Sequence, residues 1–393
     1  MDNQRKVITI VGGGNSAHVL IPLLSRTNHF IQLLTSRPNR WSRNPELIIQ
    51  SPVNGVSSVV GRIHGLSGDP AEVIPMSDII ILSMPVSEYY SALKDVAKYI
   101  LPDRKYVIGT LYGQGGFDWM VRSAFNQHDL SLITYFAIGA LPWVCRARDY
   151  GRTGALLSAN KRNLVAMSRP SEFRELNENL FRHLGEFWFG FGAFALADNF
   201  ISVTLTVDNQ IIHPSRLFGL YQSCDGVWDL AEDVPYFYKD FDDFSAELVS
   251  RIDEEYSSIR SSLRKRYSEM KFGFMMSYLE LEEFSNDYRP AAVIDTFIHS
   301  QSLSSIKTPT RFHGGKFHID TSHRFFRDDV IYGVLIAKWI AEQMDLQTPT
   351  IDKLISWYKK RLAIADDKKE VDVYLTSGCP ESYGLYHMDQ VIS

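Results

Sequence analysis

Short, nearly uninterrupted apolar runs mark the first half of the chain: Val7–Val11, Phe30–Leu34, Ile79–Leu82, Tyr106–Leu111 and Leu130–Tyr135. Runs of this length without polar alternation suit parallel strands buried on both faces. Between them, Asn15–Ser25, Ser87–Ile100 and Phe117–Phe125 read as helices, and Val53–Gly65 reads as a pair of short strands inserted before the third run. The alternation predicts an α/β, doubly wound domain. After about residue 200 helical spacing dominates, over Ile201–Leu220, Asp243–Arg266, Phe272–Phe284, Asp328–Met344 and Ile351–Arg361. A mostly α-helical second domain is expected, with a boundary near Ala197–Phe200. The polar segment Ser285–Asp320 is expected to be a loop excursion over the domain cleft.

Size and composition narrow the function classes. The 393 residues are 45% hydrophobic and 12% aromatic, enough for two cores. A net charge of −5 without a long basic run speaks against a nucleic-acid partner. Cys145, Cys224 and Cys379 lie far apart with no metal-ligand spacing, so neither a disulfide framework nor a metal site is expected, and a reducing, cytoplasmic setting fits. The apolar start is short and broken by three glycines, so no signal peptide is expected. No stretch of about 20 apolar residues predicts a membrane span.

Chemistry enters at Val11-Gly12-Gly13-Gly14-Asn15-Ser16-Ala17, which follows a strand and opens a helix. Gly12, Gly14 and Ala17 satisfy the dinucleotide pattern G-x-G-x-x-A: a tight turn, a close backbone approach to the pyrophosphate, and close helix–sheet packing. The phosphates would meet the helix N-terminus. A glycine-rich turn without a cofactor is the plainer reading. The second strand ends Leu34-Thr35-Ser36-Arg37, without the acid that reads an NAD ribose. Arg37 could pair with a 2′-phosphate, so these residues leave NAD against NADP open. Met84 and Pro85 after the third strand, and Gln114 after the fourth, fall where cofactor or substrate would lie, although plain turns account for them equally.

Asn209 and His213, four apart, share one helical face, and Pro214 is expected to bend or restart the helix there. An imidazole suits acid–base work at a nitrogen centre. A core histidine bonded to a carbonyl is the alternative. Arg324 and Asp329 stand five apart ahead of an expected helix, where Asp328 or Asp329 suits an N-cap. A guanidinium can grip a keto-acid carboxylate in a fork, and a carboxylate beside His213 would fix its tautomer.

Together these pieces resemble the octopine/opine dehydrogenase family, particularly its invertebrate branch acting on octopine, tauropine, alanopine or strombine. The likeness runs through Gly12-Gly13-Gly14-Asn15-Ser16-Ala17-His18, Leu141-Pro142-Trp143-Val144-Cys145-Arg146, Asp149-Tyr150-Gly151-Arg152, and His213-Pro214 with Leu217-Phe218-Gly219. It continues through Arg324-Phe325-Phe326-Arg327-Asp328-Asp329-Val330 with Tyr332-Gly333, Pro349-Thr350-Ile351-Asp352, and Cys379-Pro380-Glu381-Ser382-Tyr383-Gly384. The resemblance implies a Rossmann domain, residues 1–199, and a helical substrate and catalytic domain, residues 200–393, with substrates in the cleft. It implies His213 and Asp329 as a catalytic pair, Arg324 as the keto-acid ligand, and NADH as cofactor, with NADPH possible. Pyruvate and a small amino compound would be joined and reduced, regenerating NAD⁺ when glycolysis runs without oxygen, by a monomer or homodimer.

Two departures bear on the substrate. Octopine-type sequences carry an acid shortly before the LPW motif, whereas Ile138-Gly139-Ala140 has none. A guanidinium substrate would prefer a carboxylate there, so taurine is favoured, then glycine, alanine or arginine. Arg327 replaces an acidic position and is expected to face solvent. Competing readings are a hydroxy-acid dehydrogenase of related architecture, an NADPH-dependent metallophore-type synthase, and a non-catalytic dinucleotide sensor.

Overall fold

The computed structural model describes residues 5–51, 55–186, 193–366 and 376–392. Backbone packing divides the chain into Met1–Val203 and Thr204–Ser393.

In the first unit the apolar runs become β1 (Val7–Val11), β2 (Phe30–Leu34), β6 (Ile79–Leu82), β7 (Tyr106–Thr110) and β8 (Ile133–Ile138). The last begins three residues later than the apolar run suggests. The Asp129 carboxylate accepts from the Ser131 N–H and winds Leu130–Leu132 into a 3₁₀ turn first. Between the second and third runs lie β3 (Glu46–Ser51), β4 (Gly55–Val60) and β5 (Gly65–Ser67). After β8 follow β9 (Trp143–Asp149), β10 (Thr153–Ala159), β11 (Arg162–Met167) and β12 (Ala193–Leu196). Among the described residues the main sheet runs β12-β11-β8-β7-β6-β1-β2-β5, parallel except where β8 meets β11. Helices α1 (Ala17–Leu24) and α2 (Tyr89–Ala97) match the expected ones but are shorter at both ends, and α3 (Phe117–Ala124) stops one residue early.

The expected strand pair over Val53–Gly65 is corrected. Val53 and Asn54 lie outside the described residues, β4 pairs antiparallel with the upstream β3, and β5 joins the main sheet beside β2. In β3, buried Leu47 and Ile49 alternate with less buried neighbours, the pattern of a strand with one covered face. The order β4-β3-β10-β9 forms a second sheet, with Leu141-Pro142 leading into Trp143, the first residue of β9. Cα packing of α1 on β10 is close: a Cβ at Gly154 would stand 2.8 Å from His18 Cβ.

The second unit is mostly helical, as expected: α4 (Asn209–Cys224), α5 (Asp243–Arg266), α6 (Tyr278–Asn286), α7 (Arg324–Asp329), α8 (Leu335–Gln343) and α9 (Pro349–Asp366). Three expectations change. The span Ile201–Leu220 is interrupted before Asn209, not at Pro214. Asp208 caps α4 through the Asn209 N–H, and Pro214 lies near the helix start, where its missing N–H removes one bond only. The span Asp328–Met344 begins earlier, at Arg324. His323 is its N-cap, its ring nitrogen accepting from the Phe325 N–H, so neither Asp328 nor Asp329 serves as cap. The segment Ser285–Asp320 contains a short helix, Asp295–Ile298, and a hairpin of β14 (Thr310–His313) and β15 (Lys316–Ile319), which pairs with β13 (Val227–Trp228). Among the described residues, no helix is long and apolar enough to cross a membrane.

Candidate active site

The glycine loop is shaped by what surrounds it. Gly12 has φ +107°, and a Cβ there would lie 2.6 Å from the Ser83 carbonyl oxygen and 3.3 Å from the Met84 side chain. Gly13 is crowded by Thr35, Trp41 and Tyr150. Gly14 differs: a Cβ would meet only Ser83 O, at 3.7 Å, so packing leaves its outer side open. The Ser83 hydroxyl is buried without a hydrogen-bond partner. An open backbone shoulder, a buried hydroxyl seeking a partner and the N-terminus of α1 fit a pyrophosphate.

The loop is tied down by its neighbours. Asn15 Oδ1 accepts from the Ala147 N–H on β9 at 2.9 Å, and Ser16 makes no capping hydrogen bond. His18 Nε2 accepts from the Gly151 N–H at 2.7 Å, so its Nδ1–H donates to the Gly14 carbonyl at 2.8 Å. Burial holds this imidazole below its ordinary 6.5. At the end of β2, Thr35 is buried and its hydroxyl accepts from the Arg37 N–H at 3.4 Å, whereas Ser36 and Arg37 are exposed. Pro85 is exposed beyond half-buried Met84. Gln114 is fully buried.

In the second unit, α4 and α7 bring His213 and Asp329 together. His213 Nδ1 lies 2.7 Å from Asp329 Oδ2, and Nε2 lies 2.6 Å from the Tyr238 hydroxyl. A carboxylate only accepts, so Nδ1 carries the proton and Nε2 accepts from Tyr238 in that state. Phe325 stacks on the imidazole with 3.7 Å between centroids, and Phe237 meets it edge-on at 5.5 Å. Burial pushes the Asp329 carboxyl up to about 7 against the pull of Arg324. Burial drives His213 well below 6.5, and the Arg324 charge adds to that. Both shifts express the cost of placing charge in an apolar surround.

The register of the two helices is set next to the pair. Directly after Asp329 the chain makes a π-turn, Val330–Val334. The Tyr332 carbonyl accepts from Gln210 Nε2 at 2.8 Å, and Gly333 leaves room for the Gln210 side chain, which a Cβ would approach to 2.6 Å. Such turns release backbone groups for other partners and recur at functional sites.

Arg324 is exposed at the start of α7, its guanidinium 5.1 Å from the Phe325 ring centroid, the same ring that stacks on His213. Arg327 does not simply face solvent, because its Nε donates to the Thr321 carbonyl at 3.0 Å. Asn209, half-buried, opens α4 one turn before His213. Sequence reasoning missed Tyr238, Gln210 and Arg216. Arg216 is buried three residues after His213 and donates to the Phe237 and Asp240 carbonyls and to Asp242, holding the segment that carries Tyr238. A buried arginine on an otherwise apolar helical face was the available signal; nothing in Tyr236-Phe237-Tyr238 singles out its last ring.

The family model of the NAD/NADP octopine/nopaline dehydrogenase alpha-helical domain matches residues 196–362. An opine dehydrogenase of Haliotis discus hannai is 25% identical, covering 98% of both chains. A tauropine dehydrogenase of Arabella iricolor is 22% identical, covering 98% of this chain and all of that one. A solved octopine dehydrogenase with NADH and pyruvate superposes with a TM-score of 0.79 at 20% identity, over 98% of this chain and 97% of the other. The resemblance to opine dehydrogenases therefore spans both units.

Proposed function

We propose that the chain is an NADH-dependent opine dehydrogenase, joining pyruvate to a small amino compound and reducing the product to an N-(1-carboxyethyl) secondary amine. The reading is carried by one observation: a buried His213–Asp329 pair at 2.7 Å with the exposed guanidinium of Arg324 on the adjoining ring. Relatives named opine and tauropine dehydrogenase, and a solved octopine dehydrogenase with NADH and pyruvate, support it.

Arg324 holds the keto-acid carboxylate in a bidentate fork. Asn209, on the turn before His213, offers an amide to the same substrates. The amine condenses with the keto carbon. His213, oriented by Asp329, removes a proton from nitrogen and returns one to the departing oxygen. Gly12, Gly13, Gly14, Asn15, Ser16 and Ala17 hold the dinucleotide, with Thr35, Ser36 and Arg37 at its ribose, Met84 and Pro85 beside it, and Gln114 near the reacting groups. A bound reduced nicotinamide supplies hydride to the imine carbon. Residues 1–199 bind cofactor and residues 200–393 carry the acid–base machinery.

Taurine is the favoured amine, followed by glycine, alanine or arginine, because Ile138-Gly139-Ala140 offers no carboxylate to a guanidinium. The reaction would regenerate NAD⁺ in anaerobic glycolysis, in the cytoplasm, where the three free cysteines stay reduced. NADPH is the second cofactor to test, since Arg37 rather than an acid follows β2. The deciding experiment follows NADH oxidation with pyruvate against taurine, glycine, alanine, β-alanine and arginine. Amine-dependent turnover supports the proposal. Full turnover with pyruvate alone points to a hydroxy-acid dehydrogenase, and cofactor binding without turnover on any pair points to a sensor.

A further inference from the structure

We propose that the Tyr238 hydroxyl is the terminal proton carrier of this site, passing protons between His213 and the substrate. The inference rests on the opine dehydrogenase reading but assigns a residue that reading does not need.

The argument starts from how thoroughly the imidazole is enclosed. The His213 side chain is 1% exposed. Asp329 takes Nδ1, Tyr238 takes Nε2, Phe325 covers a face and Phe237 an edge. Both ring nitrogens are already hydrogen-bonded, and the Nε2 bond runs to the Tyr238 hydroxyl. A phenol hydroxyl can accept one hydrogen bond while donating another, so it can receive a proton on one side and release one on the other. Asp329, His213 and Tyr238 thus form a chain of two short hydrogen bonds, 2.7 and 2.6 Å, with all three residues buried. The chain is stiff. Arg216, on the same helix as His213, donates to the Phe237 carbonyl at 3.1 Å and to the Asp240 carbonyl at 2.6 Å, so one helix sets both the imidazole and the phenol. Fixed donors of this kind avoid reorganisation during transfer.

The proton balance closes. The amine enters as an ammonium and loses one proton through the Tyr238 oxygen to His213 Nε2, giving an imidazolium held by Asp329. On addition to the keto carbon its nitrogen passes a second proton to the new alkoxide, which becomes a hydroxyl. In the dehydration step the nitrogen lone pair forms the C=N bond as the C–O bond breaks. The departing hydroxyl takes the Tyr238 proton and leaves as water, and Tyr238 takes the Nε2 proton. His213 returns to neutral, and the iminium awaits reduction. No further reactant is required.

Tyr238→Phe keeps the ring contacts with Phe237 and Phe297 and removes only the relay atom. On the amine pair giving turnover in the wild type, kcat should fall about 10²-fold with KM for pyruvate and for NADH unchanged. Replacing Tyr238 with 3-fluorotyrosine, nearly the same size but more acidic, should move the basic limb of kcat to lower pH. The other ionisable groups near this chain, Asp329 and Arg324 of α7 and Tyr278 of α6, are unaltered by either change. Wild-type kcat in Tyr238→Phe, or an unshifted limb in the fluorinated protein, overturns the relay and leaves the opine dehydrogenase reading intact. A wild-type enzyme that turns over no keto acid–amine pair removes both.

Discussion

The imidazole of His213 and the carboxylate of Asp329, 116 residues apart in sequence, meet at 2.7 Å with both residues buried. The contact exists because α4 and α7 are locked by the Gln210 bond to the Tyr332 carbonyl, one turn from each partner. Asp329 fixes which ring nitrogen bears the proton. Asp329→Asn replaces an acceptor with a group that can also donate, so the opposite tautomer becomes available and Nε2–H faces Tyr238. Turnover should drop by about 10²–10⁴-fold with little change in melting temperature. Steady-state kinetics beside a thermal melt checks this, and near-normal kcat would remove Asp329 from the mechanism.

Arg324 separates charge from shape. Arg324→Ala should raise KM for pyruvate about 10- to 100-fold, the range for losing a charge-assisted hydrogen bond. It also removes a cation that depresses His213, so the acid limb of the pH–rate profile should move to higher pH. Arg324→Lys keeps the charge and loses the planar fork. It should keep the limb near its wild-type position while still weakening pyruvate use. Identical limbs in the alanine variant and the wild type would contradict the electrostatic link.

Two neighbouring glycines should behave differently. Gly12→Ala forces φ +107° on a residue with a Cβ and drives it against the Ser83 carbonyl, so the fold itself should weaken. Gly14→Ala meets nothing closer than 3.7 Å, so the melt should stay near wild type while dinucleotide affinity falls because the phosphate approach is blocked. Calorimetric titration with NADH and a melt of each variant distinguishes the cases. Unchanged NADH affinity in Gly14→Ala would place the pyrophosphate elsewhere.

What the sequence revealed depended on the range of the interaction. β1, β2 and β6 were readable to the residue because strands buried on both faces are nearly all apolar, and the two polar residues that interrupt them, Thr9 and Gln32, bond to each other. The β9–β10 hairpin was not, since its Trp143–Asp149 strand mixes apolar and charged residues according to neighbours far along the chain. His213 and Asp329 stood out by residue type and motif, yet their contact is set by packing of α4 on α7, which no local pattern encodes. Pro214 misled for a related reason: its cost depends on where the helix begins, and Asp208 decides that. Tyr238 was hidden among other aromatic residues, and only the carbonyls gripped by Arg216 explain why that ring faces the histidine.

His18 offers a pH test of the first unit. Its two bonds, Nε2 accepting from Gly151 and Nδ1–H donating to Gly14, both require the neutral ring. Protonation would set an N–H against the Gly151 N–H. Burial holds its folded-state pKa below the unfolded 6.5, despite the opposing pull of Asp149. A depressed folded pKa means the contribution is fully present above pH 6.5 and is lost as pH falls through the folded value. His29 has the same sense, with Nδ1 accepting from the Lys6 N–H and Nε2–H donating to the Asn179 carbonyl. Melting temperature should therefore decline from pH 7.5 to 5.5, and NADH affinity with it, because His18 anchors the carbonyl of Gly14. His18→Gln should start lower at pH 7.5 but decline less steeply, because one of the buried histidines that must stay neutral no longer titrates. A variant whose slope equals that of the wild type would show that the loop anchor is not a titrating element.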